Sequence, residues 1–281
     1  MRDLEAEPEE IEAALEALPE PSELSVVLSV RDIEVGFGET LVLKGLDLDV
    51  YDREILGFVG GSGQGKSVLL RTILGLLPRR KGMIEMFGMD LDKVTGAQNV
   101  AIDRRTGVLF QHGALFSGLT VRENIQFPMR EYLAWPQRLM DEVSDIKLDL
   151  VGLPRTAAAK YPSELSGGMI KRAALARSLA LDPDLIFLDE PTSGLDPIGA
   201  AEFDELIVTL RDTLGLTVYM VTHDLDSLHV ACDRVAVLSE GKILTVGPVD
   251  DVARSDDPWI RDYFKGKRSR FEPAQKLAAA E

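Results

Sequence analysis

The chain has 281 residues, with 31 Lys and Arg against 47 Asp and Glu and a formal net charge of −16. That balance runs against a nucleic-acid binder, which carries a basic footprint. It leaves a nucleotide binder open, since one lysine, a helix end and Mg2+ neutralise a triphosphate locally.

The single cysteine, Cys232, excludes an intramolecular disulfide framework and fits a reducing cytosol. No apolar run reaches bilayer-spanning length. Residues 1–24 are acidic and lack the basic-then-apolar plan of a secretory signal. Within them "EEIEAALEAL" suits a short helix, but prolines at 8, 19 and 21 bracket it, and the segment reads as a solvated acidic extension. Alternation follows in "LSVVLSVRDIEVGFG" and "LVLKGLDLDVYDREILGFVGG", which predicts strands with turns between them. A helix is expected from Lys66 to Leu77, ending before Pro78, and residues 84–91 read as strand and turn.

The middle, roughly 115–165, is mostly helical and irregular in its periodicity. From Met169 the order is helix, strand (Leu185–Leu188), helix (Ala200–Leu214) and strand (Leu216–Val221). The stretch "DRVAVLSEGKILTVG" reads as a hairpin turning at Glu240-Gly241. Strands alternating with helices imply an α/β fold with a largely parallel sheet. The end, "KGKRSRFEPAQKLAAAE", is basic and then alanine-rich, and reads as a flexible tail. Its charges Lys265, Lys267, Arg268 and Arg270 lack an apolar face and read as solvated.

The segment "GFVGGSGQGKS" carries the G-x-x-x-x-G-K-[ST] spacing through Gly60, Gly61, Ser62, Gly63, Gln64, Gly65, Lys66 and Ser67, with Val68 opening the helix beyond. An apolar run, Ile55 to Val59, precedes it, which is the strand context the motif requires. Glycines let successive backbone N–H groups converge on phosphate oxygens, and the helix dipole adds positive potential there. Lys66 would reach the β- and γ-phosphates, and the Ser67 hydroxyl would ligate Mg2+. This loop alone indicates a nucleoside triphosphate and no particular reaction.

"LIFLDEPTSGLDP" places Asp189 and Glu190 at the end of a buried strand, which sets them beside the same crevice. Asp189 would hold Mg2+ through water, and Glu190 would orient and polarise an attacking water. His223 follows another apolar strand in "VYMVTHDLD" and can donate to the γ-phosphate and sense its loss. Gln111, in "VLFQHGALF", can reach Mg2+ or the water, whereas His112 and His229 read as structural.

Taken with "LSGGM" and "SGLD", this ordered series resembles the ATP-binding cassette (ABC) ATPases over about residues 25–265. The resemblance implies a P-loop ABC ATPase fold: a RecA-like core, an antiparallel β subdomain, and an inserted α-helical subdomain at about 113–170. It leaves 1–24 as an extension and 266–281 as a tail. It also implies that Ser166, Gly167, Gly168 and Met169 of one subunit meet the γ-phosphate in the P-loop of another. Ser166 would cap a helix whose dipole points at that phosphate. Two copies placed head to tail would complete two sandwiches, with Asp196 in the loop that crosses the interface. Phe37 matches the family's adenine-stacking aromatic. Met169 departs from the usual glutamine, and a thioether cannot donate that hydrogen bond.

Within the family, "FQHGALF", "NIQFPMRE", "YPSELSGGM" and "LDPIGA" resemble the ATPase of Mla/Mce-type phospholipid transport systems. That implies ATP hydrolysis with Mg2+, a separate integral-membrane permease, an MCE-domain lipid-binding protein, no nucleic acid, and a peripheral position on the cytoplasmic face of a bacterial inner membrane. An ABC ATPase with a different cargo, or a non-transport ATPase or scaffold, is the alternative. Leu115, Phe116, Leu119, Val121 and Phe127 offer a docking surface near Gln111, although any one of them read singly is ordinary core.

Overall fold

Two sheets organise the chain. The computed structural model describes residues 7–19 and 26–266, the last two without their side chains. Residues 1–6 and 20–25, and the tail residues Lys267, Arg268 and Arg270, lie outside the described residues.

The N-proximal sheet is antiparallel. β1 (Val26–Phe37) and β2 (Thr40–Tyr51) form a hairpin, joined by β4 (Lys81–Met86) and β5 (Met89–Asp90) in the order β2-β1-β4-β5. The second sheet runs β10-β9-β3-β8-β7-β6. In it β3 (Ile55–Gly60), β6 (Thr106–Leu109), β7 (Leu185–Asp189), β8 (Thr217–Val221) and β9 (Arg234–Ser239) are parallel. β10 (Lys242–Pro248) pairs antiparallel at the edge, through a turn in which Glu240 and Gly241 both have positive φ.

Every residue of β3, β7 and β8 is buried, because helices or the other sheet cover both faces. Period-2 alternation sorts their side chains. Phe187 and Tyr219 face a core shared with Leu28 of β1 and Leu69 of α2 (Lys66–Ile73). Ile186 and Met220 face the opposite core, filled by Ile125, Leu148, Leu175 and Phe203. These come from α4 (Val121–Tyr132), α5 (Gln137–Leu150), α6 (Gly167–Ser178) and α7 (Pro197–Leu214).

Two expectations are corrected. α2 stops at Ile73 instead of Leu77 because Gly75 takes φ 69°. Its N–H bonds the Thr72 carbonyl at 3.0 Å and that of Leu76 bonds the Arg71 carbonyl at 2.8 Å, the paired bonds of a Schellman stop. Over residues 7–19 the acidic N-terminal segment is not a free extension, although its glutamates stay exposed. It forms α1 (Pro8–Ala17) against α3 (Gly96–Arg104), with Ala14 and Leu18 buried in the core. Glu12 pairs with Arg104 at 2.8 Å, and Arg105 donates to the Pro19 carbonyl at 3.0 Å. The apolar positions Ile11, Ala14, Leu15 and Leu18 fall on one helical face, and that face is what docks.

Candidate functional site: a phosphate cleft at the strand ends

β3 runs straight into the glycine loop. A Cβ on Gly60 would lie 2.6 Å from the Leu238 carbonyl oxygen. At Gly65 φ is 111°, and a Cβ would lie 2.9 Å from both Val42 and Leu43. Only glycine holds the loop tight enough to turn into α2 at Lys66. Gly65 offers no side-chain cap, so the first N–H groups of α2 face the cleft open to an anion. The buried Lys66 ammonium donates to the carbonyls of Gly60 at 2.7 Å and Gly61 at 3.0 Å. The cleft encloses about 540 Å³, and its walls bring Ser67, Val68, Glu190, His223 and Tyr263 to the loop.

The strand order β8-β7-β6 places three functional side chains together. Glu190 follows β7, His223 lies just past β8, and Gln111 lies just past β6. Glu190 Oε2 accepts from Gln111 Nε2 at 2.6 Å, and His223 Nδ1 lies 3.1 Å from Glu190 Oε1. Against an ionised carboxylate, which only accepts, Nδ1 is the donor. Glu190 itself has φ 47°, a left-handed conformation that costs a non-glycine residue about 1–3 kcal/mol. Its N–H is fixed to the Val221 carbonyl at 2.8 Å and its own carbonyl accepts from Lys171 at 3.0 Å, which over-determines the strain.

Asp189 closes β7 and is only 8% exposed. Burial pushes its carboxyl up and the neighbouring Glu190 adds to this, while Arg71, Lys171 and Lys66 pull it down. The chemistry of the residues expected to hold Mg2+ suits that ion. Asp189 and the Ser67 hydroxyl are hard oxygen donors, and Gln111 keeps its amide oxygen after Nε2 goes to Glu190. Among the described residues no group of three or more His, Cys, Asp or Glu could hold a metal alone.

The remaining sequence-predicted residues lie outside this cleft. Phe37 ends β1 with 56% of its surface exposed, so it is no core aromatic. Ser166 caps α6, its Oγ accepting from the Met169 N–H at 3.3 Å. Gly167 and Gly168 form the first residues of the helix. A Cβ on Gly167 would meet nothing within 4 Å, and one on Gly168 only Leu195 at 3.8 Å. Among the described residues nothing requires either glycine. Asp196 caps α7, accepting from Ile198 and Gly199 N–H groups at 3.1 and 2.9 Å. Of the candidate docking residues, Val121 is core, whereas Phe116 and Phe127 are exposed with ring centroids 4.6 Å apart.

Two residues at the site escaped sequence reading. Lys171 interrupts an alanine-rich apolar run, which is a signal for a buried cation. Tyr263 stands on the helix Pro258–Gly266, and no motif marks it.

Comparison with known proteins bears on this arrangement. The family model described as ABC transporter matches residues 43–193. The chain is 37% identical over 253 residues to the intermembrane phospholipid transport system ATP-binding protein MlaF of Haemophilus influenzae, covering 89% of this chain and 96% of that one. It is 35% identical over 245 residues to the probable ribonucleotide transport ATP-binding protein mkl of Mycobacterium leprae, covering 87% and 70%. A dimeric structure of the ATP-binding cassette MJ0796, in a post-hydrolysis state bound to ADP and Pi, superposes with a TM-score of 0.72 at 27% identity, covering 79% of this chain and 98% of that one. The glycine loop, the strand-end carboxylates and these matches agree: the chain belongs to the ABC transporter family, as one of its ATPase subunits.

Proposed function

We propose that this chain hydrolyses ATP as a head-to-tail homodimer beneath a separate membrane permease, and that the cargo is phospholipid. The observation that carries the hydrolysis is the Glu190 carboxylate, held by Gln111 at 2.6 Å and His223 at 3.1 Å on the wall of the Lys66 cleft.

In this reading Gly60 to Val68 cradle the phosphates with backbone N–H groups, and Lys66 exchanges its loop carbonyls for β- and γ-oxygens. Ser67, Asp189 and the Gln111 amide oxygen would hold Mg2+, which neutralises phosphate charge when bound. Glu190 orients a water and takes its proton, the water oxygen bonds to the γ-phosphorus, and ADP leaves. His223 lies against Glu190 through Nδ1 and, as a hydrogen-bond donor to the γ-phosphate, senses its loss. Phe37, exposed at the end of β1, stacks on adenine.

Ser166, Gly167 and Gly168, with Met169 beside them, complete the partner's site, and Asp196 lies in the loop crossing between copies. The glycines that no internal contact requires support this, since they leave room for close approach from outside. We assign residues 25–265 to the ATPase domain, about 113–170 within it to a helical subdomain, 1–24 to an extension and 266–281 to a tail. No helix among the described residues is long and apolar enough to cross a membrane. The crossing is assigned to the permease, which docks at the exposed Phe116–Phe127 pair and holds the ATPase on the cytoplasmic face of a bacterial inner membrane. An MCE-domain protein is the expected lipid carrier.

The phospholipid reading leans on the MlaF relative, which the chain matches over 96% of its length. The mkl relative, named for ribonucleotide transport, favours a second cargo. Both are tested on the chain co-purified with its permease. Glu190→Gln is expected to bind ATP and turn it over at least about 100-fold more slowly; near-normal turnover rejects Glu190 as the base. Mass spectrometry of the bound small molecules then separates phospholipid from ribonucleotide.

A further inference from the structure

The loop after β6 is strained and is held from one side. Gly113 and Ala114 both have positive φ, 77° and 49°. Arg177 of α6 donates to their carbonyls at 2.8 and 2.7 Å, and a Cβ on Gly113 would lie 3.0 Å from the side chain of Ile170 on α6. One turn into that helix, Lys171 is 5% exposed. Its ammonium donates to two backbone carbonyls, that of Gln111 and, at 3.0 Å, that of Glu190. These two residues are the pair whose side chains meet at 2.6 Å in the cleft. One cation therefore pins both backbones, and with them the separation of amide and carboxylate. Burial lowers the Lys171 pKa, and the negative charges of Asp189 and Glu190 oppose that.

We propose that Lys171 is a positioning residue for ATP hydrolysis in its own chain's cleft, acting through the Gln111 and Glu190 carbonyls. The inference rests on the roles proposed above for those two residues. Without the ammonium, two carbonyls lose their donor in a buried place, and the positive-φ backbone of Glu190 loses one of the contacts that hold it. Lys171 touches no residue of the Gly60–Val68 loop that cradles the phosphates, so the effect falls on turnover and spares ATP affinity. Because α6 also begins at Ser166, the helix and the carboxylate are bound as one body.

The experiment compares Lys171→Met, Lys171→Arg and Glu190→Gln in the chain co-purified with its permease, measuring ATP affinity with a fluorescent analogue and kcat separately. Lys171→Met is expected to lose about 10-fold or more in kcat, the scale of a small misplacement of reacting groups. Its ATP affinity is expected to stay within about twofold, and Lys171→Arg to recover most of the rate. Wild-type kcat in Lys171→Met, with Glu190→Gln silent, overturns the inference alone. Normal turnover in Glu190→Gln overturns the site reading and the inference together.

If Lys171→Met does not fold, Lys171→Gln, which keeps polarity on a shorter arm, serves in its place. Unaltered kcat there overturns the proposal as well. Mixed dimers locate the effect. A wild-type chain paired with a Lys171→Met/Glu190→Gln chain should turn over as fast as one paired with a Glu190→Gln chain. A further loss in the former would show Lys171 acting on the partner's site, against the proposal.

Discussion

Asp204 shows at residue scale how a buried acid makes stability depend on pH. It lies on α7, with Oδ2 accepting from Ser227 Oγ at 2.7 Å and no partner for Oδ1 among the described residues. Burial, opposed by the Ser227 hydrogen bond and reinforced by Asp224 and Asp226, raises its pKa to about 7. In the unfolded chain an Asp releases its proton near pH 4. The folded state thus binds more protons through that window, and stability present below about pH 4 is lost as pH rises towards about 7. The expected outcome is a wild-type Tm that falls between about pH 4 and 7. Asp204→Asn should show a flatter profile, the difference corresponding to on the order of a few kcal/mol. Parallel profiles would mean that Asp204 is ionised in the folded chain.

At the scale of the element, α6 starts badly on purpose. A glycine in a helix costs about 1 kcal/mol relative to alanine, and this helix opens with two. Ser166 recovers part of that by capping. The open space beyond Gly167 and Gly168 means that a methyl group there meets nothing among the described residues closer than 3.8 Å. Gly168→Ala is therefore expected to keep or slightly raise the Tm while lowering ATP turnover by about 10-fold or more, because in the proposed dimer the added Cβ would intrude on the partner's phosphate. A variant with a raised Tm and full turnover would place the partner contact elsewhere. Gly65→Ala offers the opposite case: φ of 111° and contacts at 2.9 Å make that glycine an internal necessity. Its replacement should cost both stability and ATP affinity, read by melting and by nucleotide titration.

For the whole molecule, the cleft and the Ser166 turn lie apart in one chain, and assembly is what unites them in the proposed reaction. Glu190→Gln with Mg-ATP is expected to sediment as a dimer, and the same chain with ADP as a monomer; a nucleotide-independent mass would contradict the sandwich. Much of this was legible from residue order, because the P-loop, the Asp189-Glu190 pair and His223 each follow a continuous apolar run, and such runs become central parallel strands. The Glu240-Gly241 hairpin was legible for the same local reason, since both residues must take positive φ. Folding in three dimensions decided what local pattern does not encode. It turned an acidic segment into a docked α1, since burial of Ala14 and Leu18 depends on a surface supplied by α3 some eighty residues away. It also brought Lys171 beneath Gln111 and Glu190, because only strand order and helix packing set which distant carbonyls a buried ammonium meets.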